Sequence, residues 1–213
     1  MCIINIFVLD VKFNCGVIPK LFDQSEVKDM IQTFRRFPTV EYEGAGNAIY
    51  GVDQRHLAYL WFRRLCFKRI QQQFGDDVQL IFGMLLDCRE PFGIHHDLKP
   101  LPNPEGKHYM SCLIPYSVDN DIALCSQAAT VVFNEILSDF EQMPCVEHSA
   151  AHRHQDLAHV PQQQLEKVSV REWITWSPGD LIWWDSQLAH VSNDFRTLGH
   201  VSKQAIVIHT YVV

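Results

Sequence analysis

No two cysteines in this chain stand in a CxxC arrangement. The seven present (Cys2, Cys15, Cys66, Cys88, Cys112, Cys125 and Cys145) are odd in number and widely scattered. That excludes a paired-thiolate zinc site and the disulfide framework of a small secreted domain. Reduced thiols in a cytoplasmic protein are expected instead. Basic charge is also short, with 18 Lys and Arg against 25 Asp and Glu and a formal net charge of −7. Nucleic-acid binders depend on a positive field over the phosphates, so this balance argues against that class. Long apolar runs are missing. The N-terminal stretch MCIINIFVL stops at Asp10, short of the roughly 18 residues that a membrane span needs. It carries neither the basic flank nor the small-residue cleavage site of a signal peptide. Internal repeats and Gly/Pro-rich linkers are absent too, so residues 1–213 are expected to form a single domain.

What the chain does have is histidine, 11 in 213 residues. Their placement follows from the elements around them. Residues 3–9 (IINIFVL) read as a buried strand. Asp23 or Ser25 caps a helix in which Val27, Met30, Ile31 and Phe34 recur at helical spacing. A second helix is expected from Arg55 to Phe74. Its apolar stripe is Leu57, Leu60, Trp61, Leu65 and Ile70, with Arg63, Arg64, Lys68 and Arg69 forming a solvated face. From Val78 onward the runs VQLIFGMLL, HYMSCLI, ATVVF, VSVREWITW, DLIWWD and KQAIVIHTYVV are short, β-branched and aromatic, separated by turn residues. A mainly β fold follows: N-terminal helical support over residues 1–77, then a sandwich or barrel over 78–213. A polar, His- and Gln-rich insertion interrupts it at about 135–167. His148, His152, His154 and His159 are read as part of that exposed segment, because no cysteine or carboxylate completes a structural metal pattern.

The segment FGIHHDLKP carries the chemistry. In an extended strand His95 and Asp97 share one face and His96 points the other way. An imidazole and a carboxylate on one face offer two ligands to an ion. His190, in WSPGDLIWWDSQLAHVSN, is the candidate third. Two histidines and one carboxylate on one side of an ion make the facial triad of non-haem iron oxygenases. Trp183 and Trp184 are read as packing residues, and His209 as a core histidine.

The ordered series of HxD (His95, Asp97), HYMSCLIPYS, ATVVFNE, WSPGDLIWWDSQLAH and SKQAIVIHTYVV resembles the Fe(II)/2-oxoglutarate-dependent oxygenase superfamily, in its prolyl-hydroxylase-like or phytanoyl-like branch. The resemblance covers roughly residues 78–213. It implies a double-stranded β-helix, the jelly roll of a cupin-like barrel, with iron held by His95, Asp97 and His190. It further implies 2-oxoglutarate and O₂ as cosubstrates, and hydroxylation with release of succinate and CO₂. Lys203, thirteen residues after His190, would clamp the distal carboxylate of 2-oxoglutarate, with Arg196 as the alternative. Tyr109 and Ser111 would add hydroxyls, and the insertion would lie over the barrel mouth as a lid. The substrate class left open is a small molecule or a protein side chain, not nucleic acid, without a membrane. Two other readings stay open: a cupin-like metalloenzyme that does not use 2-oxoglutarate, and a non-catalytic barrel binding protein.

Overall fold

The computed structural model describes residues 14–36, 48–52, 57–97, 108–136 and 155–213. The strand expected at 3–9 and the histidines at 148, 152 and 154 lie outside them. Asp23 opens the first helix. Its Oδ1 accepts the Glu26 N–H at 2.8 Å, and Glu26 Oε2 accepts the Asp23 N–H at 2.9 Å. This reciprocal capping satisfies donors that the first turn leaves without partners. Helix α1 (Gln24–Arg36) then buries Val27, Met30, Ile31 and Phe34. Arg69 clasps the Glu26 carboxylate and donates to the Leu21 carbonyl at 2.9 Å, fastening the second helical segment to the first.

That second segment differs from its expected form. Helix α2 (Leu57–Phe62) runs through a π-helical turn (Arg63–Phe67) into α3 (Lys68–Phe74). The wider turn rotates the apolar face. Phe62, Cys66, Phe67, Ile70 and Phe74 are buried, whereas Leu60 and Leu65 are exposed at 58% and 51%. A stripe drawn at a uniform 3.6-residue period fails where the period itself changes.

Among the described residues, nine strands form two antiparallel sheets: β1 (Cys15–Ile18), β2 (Ala48–Val52), β3 (Val78–Cys88), β4 (His108–Val118), β5 (Ala129–Ile136), β6 (Val170–Thr175), β7 (Leu181–Asp185), β8 (Leu188–Ser192) and β9 (Lys203–Val212). The larger sheet has the order β1-β7-β4-β9-β3-β2, and the smaller β6-β5-β8. Strand alternation divides the core into layers. Met110, Cys112, Ile114, Leu181, Trp183, Ile206 and Ile208 face the helices. Their neighbours Leu113, Ile182, Trp184, Ala205 and Val207 face the smaller sheet, meeting Val132, Ile174 and Leu188. The fold is therefore mostly β, with helices on one outer face. No helix among the described residues is long and apolar enough to cross a membrane.

Within the described part of the 135–167 stretch, Leu157–Val160 are buried. Leu157 and Val160 pack with Val131, Phe133, Ala189 and Val191 on the outer face of the smaller sheet, and His159 is fully buried. Residues 157–160 are thus core, and a polar composition concealed a short apolar period.

Two glycines allow close approach. A Cβ on Gly83 would come within 2.5 Å of the Phe62 ring, so the helical layer seats directly on β3. Gly179, in the Pro-Gly-Asp turn before β7, has φ +86° and would place a Cβ 2.1 Å from the Phe22 carbonyl oxygen. Gly179→Ala is expected to cost about 2–4 kcal/mol, from left-handed backbone strain plus overpacking. Gly75→Ala, where φ is +102° with nothing within 4 Å, carries the strain alone. Urea denaturation midpoints of the two variants check this, with Gly179→Ala the lower.

Candidate metal centre

The centre is assembled by backbone pairing between two distant segments. His95 N–H donates to the His190 carbonyl at 3.1 Å, and His190 N–H to the His95 carbonyl at 2.9 Å. Two residues on, Asp97 N–H donates to the Ser186 carbonyl at 3.1 Å. The loop after β3 is thereby fixed against β8 and the turn before it.

Each histidine is oriented by its own chain. His95 Nδ1 donates to the Gly93 carbonyl at 2.8 Å, and His190 Nδ1 to the Leu188 carbonyl at 3.1 Å. This assigns the proton to Nδ1 in both rings and leaves each Nε2 with a free lone pair. His95 Nε2 lies 3.8 Å from Asp97 Oδ1, and His190 Nε2 lies 3.5 Å from Asp97 Oδ2. One donor atom from each of the three residues falls within a 4.8 Å cluster. The donor set suits a divalent first-row metal with positions open to further ligands.

Electrostatics favour the ligand forms. Burial pushes the Asp97 carboxyl up, but the imidazoles of His190, His209 and His95 outweigh it and hold it well below the usual carboxylate range. Burial lowers His190 to about 4 against the opposing pull of Asp97. It is therefore neutral at physiological pH, as a metal ligand must be.

The other sequence candidates divide between two ends of the sheet. On the inward face of β4, Ser111 sits opposite His209 and its Oγ lies 3.2 Å from His209 Nδ1 and 2.8 Å from Ser186 Oγ. Tyr109, buried on the same face, stacks edge-on against Tyr211 with centroids 6.4 Å apart. Both stand at the metal-bearing end. Lys203 starts β9, opposite Val118 and Cys88, and is 3% exposed. Its Nζ lies 4.4 Å from the Trp176 ring centroid and 5.5 Å from that of Phe195. Among the described residues no carboxylate is within 4 Å of it. Arg196, by contrast, is held by Glu90 and by Asp194, the latter at 3.3 Å.

Trp184 and His209, which the sequence presents as packing and core residues, lie at the site, and Ser192 shares a strand face with His190. Trp184 donates its indole N–H to Asp97 Oδ2 at 3.2 Å, and its ring lies 4.7 Å from that of His190. Strand parity carried the signal, since Trp183 faces the helices, 5.4 Å from Phe74. His209 lies inward beside Ser111. Ser192 shares the face of β8 that carries His190, and its Oγ accepts the Phe92 N–H at 3.2 Å.

No family model and no curated protein matches the sequence. The fold, however, is similar to those of solved non-haem enzymes. One is the α-ketoglutarate-dependent epimerase SnoN of nogalamycin biosynthesis, with a TM-score of 0.59 and 16% identity over 93% of this chain and 78% of that one. Another is the α-ketoglutarate-dependent carbocyclase SnoK, with a TM-score of 0.58 and 10% identity over 95% and 83%. A third is EvdO2 from Micromonospora carbonacea in complex with 2-oxoglutarate, with a TM-score of 0.55 and 14% identity over 93% and 86%. The chain has the fold of this class of enzymes.

Lys203 gives the region a pH signature. Burial lowers its ammonium from 10.5 to about 8, partly offset by Cys88 and Cys125. Between about pH 8 and 10.5 the unfolded chain holds this proton and the folded one does not. Stability from this group therefore rises with pH across that window. Below pH 8 the full cost of burying the charge is present. Lys203→Met is expected to raise the denaturation midpoint of the metal-free protein most below pH 8, with the advantage shrinking towards pH 10.5. An advantage that does not vary with pH would contradict the assignment.

Proposed function

We propose that this chain, a single domain spanning residues 1–213, is an Fe(II)- and 2-oxoglutarate-dependent oxygenase with a jelly-roll, double-stranded β-helix core in the prolyl-hydroxylase-like or phytanoyl-like branch. The observation that carries the reading is the triad. Two imidazoles have Nδ1 tied to backbone carbonyls and Nε2 turned towards one carboxylate, with one donor atom from each of the three residues within 4.8 Å of the others. His95, Asp97 and His190 hold the iron. When bound, it supplies activation of O₂ coupled to oxidative decarboxylation of the cosubstrate to succinate and CO₂.

The chain's own residues bind, orient and exclude water. Lys203 meets the distal carboxylate of 2-oxoglutarate. A buried ammonium among Trp176, Phe195 and two thiols, with no carboxylate beside it among the described residues, is a site built for an anion brought from outside. Arg196, already held by Glu90 and Asp194, does not compete for that role. Tyr109 and Ser111 serve the metal end, where the keto-acid group lies. The apolar layer between the sheets keeps water from the reacting atoms.

The substrate in this reading is a small molecule and the outcome hydroxylation. SnoN and SnoK, as enzymes of nogalamycin biosynthesis, support a small molecule. Their epimerase and carbocyclase activities mark alternative outcomes for the same class of oxidation.

Succinate release in the presence of Fe(II), 2-oxoglutarate and O₂ tests the proposal. Asp97→Ala and His190→Ala are expected to abolish it. Lys203→Ala is expected to raise the KM for 2-oxoglutarate at least ~50-fold, because a charge-assisted contact to a buried carboxylate is lost. An unchanged KM would remove Lys203 from the role. Metal binding without any succinate would favour a cupin-like metalloenzyme that does not use 2-oxoglutarate.

A further inference from the structure

Asp97 has two oxygens, and the surroundings treat them differently. Oδ2 accepts the Trp184 indole N–H at 3.2 Å. Trp184 is 2% exposed, and its ring packs at 4.7 Å against His190, one of the other two ligands. An indole has a single polar atom, a donor with no acceptor capacity. Buried among Leu113, Val132, Ile182, Leu188 and Val207, that N–H loses free energy unless it keeps its partner. β7 holds the backbone between β1 and β4, and close packing of the buried ring restricts its rotamer. In this packed orientation the indole N–H points at Asp97 Oδ2.

We propose that Trp184 is a positioning residue that keeps Asp97 bound to the metal through one oxygen, Oδ1. The inference rests on the functional reading above and specifies the coordination that reading needs. An ion with six positions, held by two imidazoles and one carboxylate oxygen, keeps three positions for other ligands. A chelating keto acid takes two and leaves one for O₂. A carboxylate bound through both oxygens would fill the last. Engaging Oδ2 with an N–H donor prevents this, and packing the same ring on His190 couples the carboxylate's orientation to that of a second ligand. A phenylalanine would keep an aromatic ring here but remove the N–H that engages Oδ2, leaving Ser111 as the carboxylate's remaining hydroxyl partner.

The test is Trp184→Phe, read with Co(II) in place of iron and without 2-oxoglutarate. The variant keeps an aromatic ring on β7 and removes the N–H together with part of the indole volume. The visible ligand-field bands of bound Co(II) are expected to shift and the Kd to change by about tenfold or more, the usual scale for losing a group that orients a metal ligand. Identical bands with a Kd within twofold of wild type would overturn the proposal. If the variant does not fold, the wild-type Zn(II) form supplies a second reading by ¹⁵N-indole NMR of the five tryptophans. One slowly exchanging indole N–H is expected to move on Asp97→Asn, and five unmoved resonances would equally overturn it. A chain that binds Co(II) with this signature yet releases no succinate fails the functional reading alone. One that releases succinate while Trp184→Phe leaves the Co(II) bands unchanged fails this proposal alone.

Discussion

The reciprocal pair of backbone hydrogen bonds between His95 and His190, at 3.1 and 2.9 Å, is the constraint on which the rest of the site depends. It joins the loop leaving β3 to a strand almost a hundred residues later in the chain. Once the two backbones are in register, each imidazole repeats the same local device, giving its Nδ1 proton to the carbonyl two residues earlier. The two rings come to lie 4.2 Å apart between centroids, with the Asp97 carboxylate beside both. No long side chain has to be ordered to bring the donors together. The main chain places them, and the entropy of assembling the site is paid for by sheet formation.

The layered core supports this arrangement from both sides. The helices seat on one face of the larger sheet through Gly83 and Phe62, leaving the opposite face to carry the polar groups. That inward face bears Ser111, His209 and Trp184 near the metal ligands and Lys203 at the far end of β9. Cations and hydrogen-bond donors thus sit at separated positions along one apolar surface. In the proposed reading these two positions meet the two ends of 2-oxoglutarate. In that reading the burial that lowers Lys203 to about 8 is offset when the cosubstrate's carboxylate pairs with the ammonium.

Much of this was legible in the sequence, and the exceptions have physical causes. Asp23 and the Val27-Met30-Ile31-Phe34 period were readable because capping and a regular helical repeat are local. The alternation that put His95 and Asp97 on one face sufficed to nominate a metal site, although His95 forms an isolated bridge and not part of a strand. The stripe through Leu60 and Leu65 misled because a π-helical turn at Arg63–Phe67 changes the period within the segment. His159 was hidden by the polar composition around it, while its burial is set by Leu157 and Val160 packing on a sheet formed elsewhere in the chain. Trp184 was treated together with Trp183, although adjacent strand residues must face opposite layers. Its bond to Asp97 is non-local, and parity gives the face but not the partner.

The most direct measurement of the central claim is the absorption spectrum of the protein with Fe(II) and 2-oxoglutarate under strictly anaerobic conditions. A weak metal-to-ligand charge-transfer band is expected on adding 2-oxoglutarate to the Fe(II) protein, saturating at one equivalent of each. It is expected to be lost in Asp97→Ala, while the fold is retained by circular dichroism. A wild-type protein that binds Fe(II) without developing the band, or an Asp97→Ala variant that keeps it, would contradict the assignment of this triad.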